Sequence, residues 1–109
     1  LFPYTTLFRS SSINMEGAAG WMALQSQEET GHAMRLYKHL EERGARIVLG
    51  AIEAPPTQWD SPLAAFEAAY EHECKVTKEF DEHVELARSE KDNATLNFLQ
   101  WFVDEQVEE

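Results

Sequence analysis

The spacing of apolar side chains between Ser61 and Arg88 most constrains the fold of this chain. They recur three and four residues apart, which places them on one face of an α-helix. Together with the polar Glu73 and Thr77 they form what we call the middle stripe: Leu63, Phe66, Tyr70, Glu73, Thr77, Phe80, Val84 and Ala87. Ser61 followed by Pro62 favours a helix start, because serine caps the first turn and proline fits the first helical position. One long helix ending near Arg88 is therefore predicted.

Two further helices are predicted on either side of it. The stretch from Met15 to Arg43 contains no proline and is followed by Gly44, a favoured helix end. A third helix is predicted from about Asn93 to Glu109, after a polar turn. The stripe of the first helix is Met15, Ala18, Met22, Gln25, Glu29, His32, Leu36 and His39. The stripe of the third is Leu99, Phe102, Gln106 and Glu109.

The two connections predict the topology. The short turn at residues 89–92 makes the last two helices antiparallel neighbours. Residues 45–60 contain Pro55 and Pro56 and are long enough to cross a bundle from one end to the other. We interpret this segment as a connection, because no partner strand exists elsewhere in the sequence. The predicted fold class is all-α, a helix bundle with one long crossover.

Ligand-type side chains interrupt all three stripes. A lone carboxylate at the position of Glu73 is costly to bury unless it is protonated or partnered. Glu29 and His32 leave one helix face together, and Gln106 and Glu109 continue the third stripe. No Lys or Arg occupies these stripe positions, so a metal cation is the simplest partner. Oxygen ligands with one imidazole and no thiolate suit iron or manganese, and zinc less selectively.

Each of these features also has an ordinary interpretation. Glu-x-x-His on a helix occurs often by chance, and the stripe through Glu73 could be rotated by one residue. Gln106 and Glu109 could form part of a solvated acidic face. Cys74 points about 100° away from Glu73 around the helix and is not counted as a ligand. The coincidence in three separate helices favours the metal hypothesis.

Charge and cysteine content limit the function classes. The net charge is −11, from 20 acidic and 9 basic residues, which argues against binding nucleic acid or an anionic membrane surface. No apolar run reaches the length of about 18 residues that would span a bilayer. The single cysteine allows no disulfide within the chain and fits a reducing cytoplasm.

The first ten residues, LFPYTTLFRS, resemble the in-frame translation of a sequencing-library adapter. We therefore predict that residues 1–10 are not native and that residues 11–109 are a partial domain. The alternative is a genuine apolar segment.

Three segments resemble bacterial non-haem ferritins: Gln27–Leu36 resembles their second helix, Ala51–Pro56 their crossover and Asn97–Glu109 their fourth helix. The resemblance runs from about Met15 to Glu109. It implies a ferritin-like four-helix bundle, of which this chain would hold the second and third helices, the long crossover and part of the fourth helix.

The resemblance also implies a di-iron ferroxidase centre without haem. Glu29 would bridge two irons and His32 would bind the first. Glu73 and Glu109 would bind the second, with Gln106 close by to orient dioxygen or water. The ligands implied for a third iron site, which would share Glu109, are Glu28, Glu105 and Glu108.

The family implied by this resemblance oxidises Fe(II) with dioxygen or hydrogen peroxide and stores ferric mineral in a cytoplasmic homo-oligomeric shell of 24 subunits. Its first helix supplies a further Glu ligand, yet residues 1–14 contain no acidic residue. We therefore expect this chain to be a fragment with an incomplete first iron site and exposed apolar surface that leads to association. Two alternatives remain. One is another di-iron carboxylate protein, like rubrerythrin or bacterioferritin, although those usually carry a second Glu-x-x-His where this chain has Gln106-x-x-Glu109. The other is a metal-free helical interaction module.

Overall fold

The computed structural model describes residues 16–108, which form three α-helices and no strand. They are α1, Glu16–Glu42, α2, Pro62–Ser89, and α3, Asn93–Glu108. The all-α prediction is confirmed, and each helix end in this range lies within one residue of its predicted position. Residues 1–10, on which the adapter prediction rests, lie outside the described range, as do Met15 and Glu109. None of the three helices is long and apolar enough to cross a membrane.

The end of α1 explains why the chain stops being helical where it does. Gly44 adopts a left-handed conformation with φ of 68°, which glycine tolerates because it has no side chain. Its N–H donates to the carbonyl of Glu41, and the N–H of Ala45 donates to the carbonyl of Leu40. These two bonds form a Schellman motif that satisfies the last carbonyl groups of the helix.

The start of α2 has the predicted cap. The Ser61 hydroxyl accepts a hydrogen bond of 3.1 Å from the backbone N–H of Ala64, which satisfies one of the free N–H groups of the first turn. Residues 45–59 before this cap contain no regular secondary structure, as predicted for the crossover. Its side chains Val48, Leu49 and Ile52 are exposed.

The turn between α2 and α3 is short because one residue serves both helices. Asp92 donates its N–H to the carbonyl of Ala87, ending α2, and its carboxylate accepts the N–H and hydroxyl of Thr95, capping α3. Lys91 precedes it with φ of 56°, a left-handed conformation that is uncommon for a residue with a side chain. The two helices therefore leave the turn antiparallel, as predicted.

The described chain divides into two compact units, one ending at Phe66 and the other beginning at Glu67. In the second unit, Ala87, Leu99 and Phe102 form a buried core between α2 and α3. Phe102 is the centre of an aromatic cluster: the Phe80 ring stacks on it at 4.8 Å, and the rings of Phe98 and Trp101 meet it edge-on. Such pairs add about 1 kcal/mol each to the effect of burial.

In the first unit, buried side chains line one face of α1. Met22 and His32 lie on this face with Gln25, as the predicted stripe requires, and the rings of Trp21 and Phe66 lie 5.6 Å apart. Leu36, which was also predicted in the stripe, is exposed.

The middle stripe is correct only in part. From Glu73 to Ala87 its members are half-buried or buried. At the start of α2 it is wrong: Leu63 and Tyr70 are 66% and 70% exposed, while Ala65 is buried. The buried face of these first turns is built from alanines, whose small size gives them little weight in a hydrophobic pattern.

Candidate metal centre

Glu29 and His32 lie next to each other on the buried face of α1. Their spacing of three residues places both side chains on one side of the helix, and Nδ1 of His32 lies 3.7 Å from Oε2 of Glu29. The His32 side chain is 11% exposed and the Glu29 side chain 32%. The pair therefore combines an imidazole that is shielded from water with a carboxylate that water or a cation can reach.

The turn before this pair also carries polar groups on the buried face. Gln25 and Ser26 are both buried. The Ser26 carbonyl accepts a hydrogen bond of 2.9 Å from the Thr30 hydroxyl. The Ser26 hydroxyl itself has no hydrogen-bond partner within the described range. The face of α1 thus changes from apolar at Met22 to polar around the Glu29–His32 pair.

Glu73, Thr77 and Gln106 form a second polar cluster, between α2 and α3, which we call the amide cluster. The Gln106 side-chain nitrogen, Nε2, donates to Oγ1 of Thr77 at 2.9 Å. It also lies 3.4 Å from Oε2 of Glu73 and 3.4 Å from the Glu73 main-chain carbonyl oxygen. All three residues are half-buried. The stripe through Glu73 is therefore placed correctly, and its carboxylate faces a side chain of the next helix.

The residues predicted for a third iron site are divided by exposure. Glu28 and Glu108 are exposed, whereas Glu105 is half-buried. Glu109, which would be shared between sites, lies outside the described residues. The role of all four as iron ligands stays a prediction.

The types of donor atom in the predicted site residues of α1, α2 and α3 fit a hard or borderline metal ion. Carboxylate oxygens, an amide oxygen and one imidazole nitrogen are the ligands that iron and manganese accept. Cys74 is exposed and is a free cysteine, and its hydrogen bond with Tyr70 raises the pKa of the Tyr70 hydroxyl. Within residues 16–108 no three His, Cys, Asp or Glu side chains lie close enough together to hold a metal ion. Among the described residues, Glu29 and His32 lie together in the first unit and Glu73 and Gln106 in the second, and neither pair is a complete set of ligands.

Thr77 was missed as a member of the site. In the sequence it is only one position of the middle stripe, since threonine is neither a typical iron ligand nor strongly apolar. The signal that could have identified it is its position one helical turn after Glu73. From there a hydroxyl can reach Gln106, the residue that also lies near the Glu73 carboxylate.

Comparison with solved structures defines the class of helical protein. The chain superposes on a humanized archaeal ferritin with a TM-score of 0.96 and 50% sequence identity, covering 98% of this chain and 66% of the other. The chain thus has a ferritin-like fold.

Sequence comparison identifies the family. Residues 5–109 match the ferritin-like domain. The bacterial non-heme ferritin of Bacteroides fragilis (strain 638R) is 47% identical over 110 residues, which cover 96% of this chain and 69% of the relative. That of Staphylococcus aureus (strain USA300) is 40% identical over 94 residues, covering 86% and 57%. The chain belongs to the ferritin family. It spans 69% and 57% of the length of these two relatives.

Proposed function

We propose that the protein is an iron-storage subunit with ferroxidase activity, which oxidises Fe(II) with dioxygen or hydrogen peroxide and retains the ferric product. The observation that carries this proposal is the amide cluster. A carboxylate, Glu73, is half-buried in a helix–helix stripe within 3.4 Å of a glutamine amide. Family membership supports iron as the ion, because the curated relatives are named as ferritins.

Each predicted ligand has a role that its chemistry allows. Glu29 and Glu73 supply carboxylate oxygens. The carboxylate of Glu29 would bridge two irons. His32 supplies an imidazole nitrogen, and its burial keeps competing water away. Gln106 and Glu109 complete the proposed centre, which has no haem. The proposed ligands of a third iron site are Glu28, Glu105 and Glu108.

The proposal extends to assembly and location. Iron storage requires an enclosed volume, and we propose that the protein builds it as a homo-oligomeric shell of 24 subunits in the cytoplasm. Leu49 and Ile52 are apolar side chains that are 87% and 75% exposed. Contacts between subunits in an assembly would remove such side chains from water.

The test measures oxidation of Fe(II) by the full product of the open reading frame that contains these residues. Fe(II) is added aerobically, and the ferric absorbance and the oxygen consumed are recorded. Glu73→Ala should slow the fast phase by about 100-fold or more, since it removes a charge that stabilises the oxidised metal. The control is Glu82→Ala, which removes a carboxylate from the exposed face of the same helix and should retain the wild-type rate.

Two results would contradict the proposal. One is a wild-type protein that oxidises Fe(II) no faster than buffer, the behaviour of a metal-free helical module. The other is equal rates for the Glu73 and Glu82 variants, because the loss would then reflect overall negative charge and not a site.

A further inference from the structure

The orientation of the Gln106 amide follows from the acceptors around it. Two of the three oxygens near Nε2 belong to Glu73, one from its carboxylate and one from its main chain. A main-chain carbonyl oxygen only accepts hydrogen bonds, and so does an ionised carboxylate. Turning the amide over would bring its own oxygen against these oxygens, so the NH2 group must face α2.

Thr77 provides the contact that holds this orientation. Its distance of 2.9 Å to Nε2 is in the normal range for an N–H···O hydrogen bond, whereas the two distances to Glu73, both 3.4 Å, exceed it. The two contacts to Glu73 select which way the amide faces, and the Thr77 bond fixes the side chain there.

The carbonyl oxygen of Gln106 is left available as an acceptor. All three hydrogen-bonding contacts of this side chain use Nε2, and no donor within the described range bonds Oε1. An amide held by its nitrogen presents its oxygen on the opposite side. Such an oxygen can coordinate a hard cation or accept a hydrogen bond from a bound water, but it cannot donate a hydrogen bond to dioxygen.

We propose that Thr77 is a positioning residue that makes Gln106 present its amide oxygen, and not its NH2 group, to iron or to iron-bound water. The inference rests on the proposed function, because it specifies how one residue of that site acts. The family resemblance implied that Gln106 orients either dioxygen or water. The present proposal restricts this role to water.

The decisive substitution is Thr77→Val, which removes the hydroxyl and keeps the shape of the side chain. Thr77→Ser keeps the hydroxyl and should restore the wild-type behaviour. The matched control is Thr30→Val, which removes a hydroxyl that bonds only its own helix. Crystal structures should show the Gln106 amide rotated or disordered in Thr77→Val alone.

Rates of Fe(II) oxidation give the second measurement. Thr77→Val should be about threefold to tenfold slower than wild type, the size expected for one net hydrogen bond. In a Gln106→Ala background the same substitution should have no further effect, since the two residues act as one unit. A general packing defect would slow both backgrounds equally.

The outcomes separate the two proposals. A Thr77→Val structure with Gln106 in its wild-type conformation overturns the positioning role, as does an equal loss in both backgrounds. A wild-type protein that fails to oxidise Fe(II) overturns the proposed function instead, and the crystal structures then still decide whether Thr77 sets the amide.

Discussion

The two ends of the α2–α3 pair are built from different chemistry, although they belong to one continuous stripe. Next to the turn, Phe80, Leu99 and Phe102 form a packed apolar core. One helical turn further, Thr77 and Gln106 replace them with hydrogen bonds. The change takes place within three or four residues on each helix, so the boundary between the two ends is sharp.

We interpret this difference as a division between side chains that stabilise the fold and side chains that belong to the proposed site. Apolar contacts at the turn lower the free energy of the folded state wherever they are buried. The amide cluster contributes little net stability, because its hydrogen bonds replace bonds to water. Under the proposed function such a cluster belongs to the metal site, and the following predictions test that division in order of decreasing effect.

The apolar end should dominate stability. Phe102, which is 1% exposed, touches three other rings, so Phe102→Ala should reduce the free energy of unfolding by about 3–5 kcal/mol. Urea denaturation at fixed protein concentration measures this loss. The control is Val107→Ala on the same helix, where an 84% exposed side chain should change stability little. Similar losses for both variants would contradict the proposed core.

The polar end should be replaceable without loss of stability. In the double variant Glu73→Leu with Gln106→Leu, two polar side chains of the stripe are replaced by apolar ones, and the apo-protein should be unchanged or stabilised by about 1–2 kcal/mol. Oxidation of Fe(II) should be abolished in the same preparation. A marked destabilisation would show that the amide cluster is structural, and the comparison between the two ends would fail.

The cap of α3 should have an intermediate effect. Asp92→Ala removes the acceptor for the N–H and hydroxyl of Thr95, and a lost cap of this type costs about 1 kcal/mol. Asp92→Asn, which can still accept the N–H bond, should recover most of the loss. Thermal denaturation compares the three proteins, and an Asp92→Ala variant as stable as wild type would argue against the cap.

The smallest effect is expected for the ion pair of Arg88 and Glu85 on α2. Both side chains are well exposed, and a pair of this type contributes at most about 1 kcal/mol. Arg88→Ala should therefore leave the denaturation midpoint almost unchanged, and 1 M salt should remove any difference that remains. A large, salt-resistant loss would mean that Arg88 makes a contact beyond this pair.

Sequence patterns were sufficient for the helices because local signals mark their ends. Gly44 and Pro62 stop and start helices through their backbone chemistry alone. The stripe was less reliable at the beginning of α2, where Leu63 and Tyr70 outrank Ala65 in hydrophobicity but are exposed. Burial there depends on which face of the helix has a close neighbour. Small residues permit close approach, but they contribute little to a hydrophobic pattern in the sequence.

The candidate site was predicted unevenly for a similar reason. Glu29 and His32 are three residues apart, so their shared face follows from helix geometry. The bond between Thr77 and Gln106 joins residues that are far apart in sequence, and it depends on how α2 and α3 align along their lengths. Neither helix alone contains that information. The roles of all these residues as iron ligands, including that of Glu109, and the adapter prediction for residues 1–10 are still predictions.

The tight turn around Asp92 also sets the order in which the chain can become ordered. Contacts such as Ala87 with Leu99 close a short loop, and the entropy lost on closing a loop grows with its length. The α2–α3 pair should therefore become ordered before α1. Pulsed hydrogen exchange during refolding should show that the amides of α2 and α3 next to the Asp92 turn are protected earlier than those of α1. Simultaneous protection of all three helices would exclude this order.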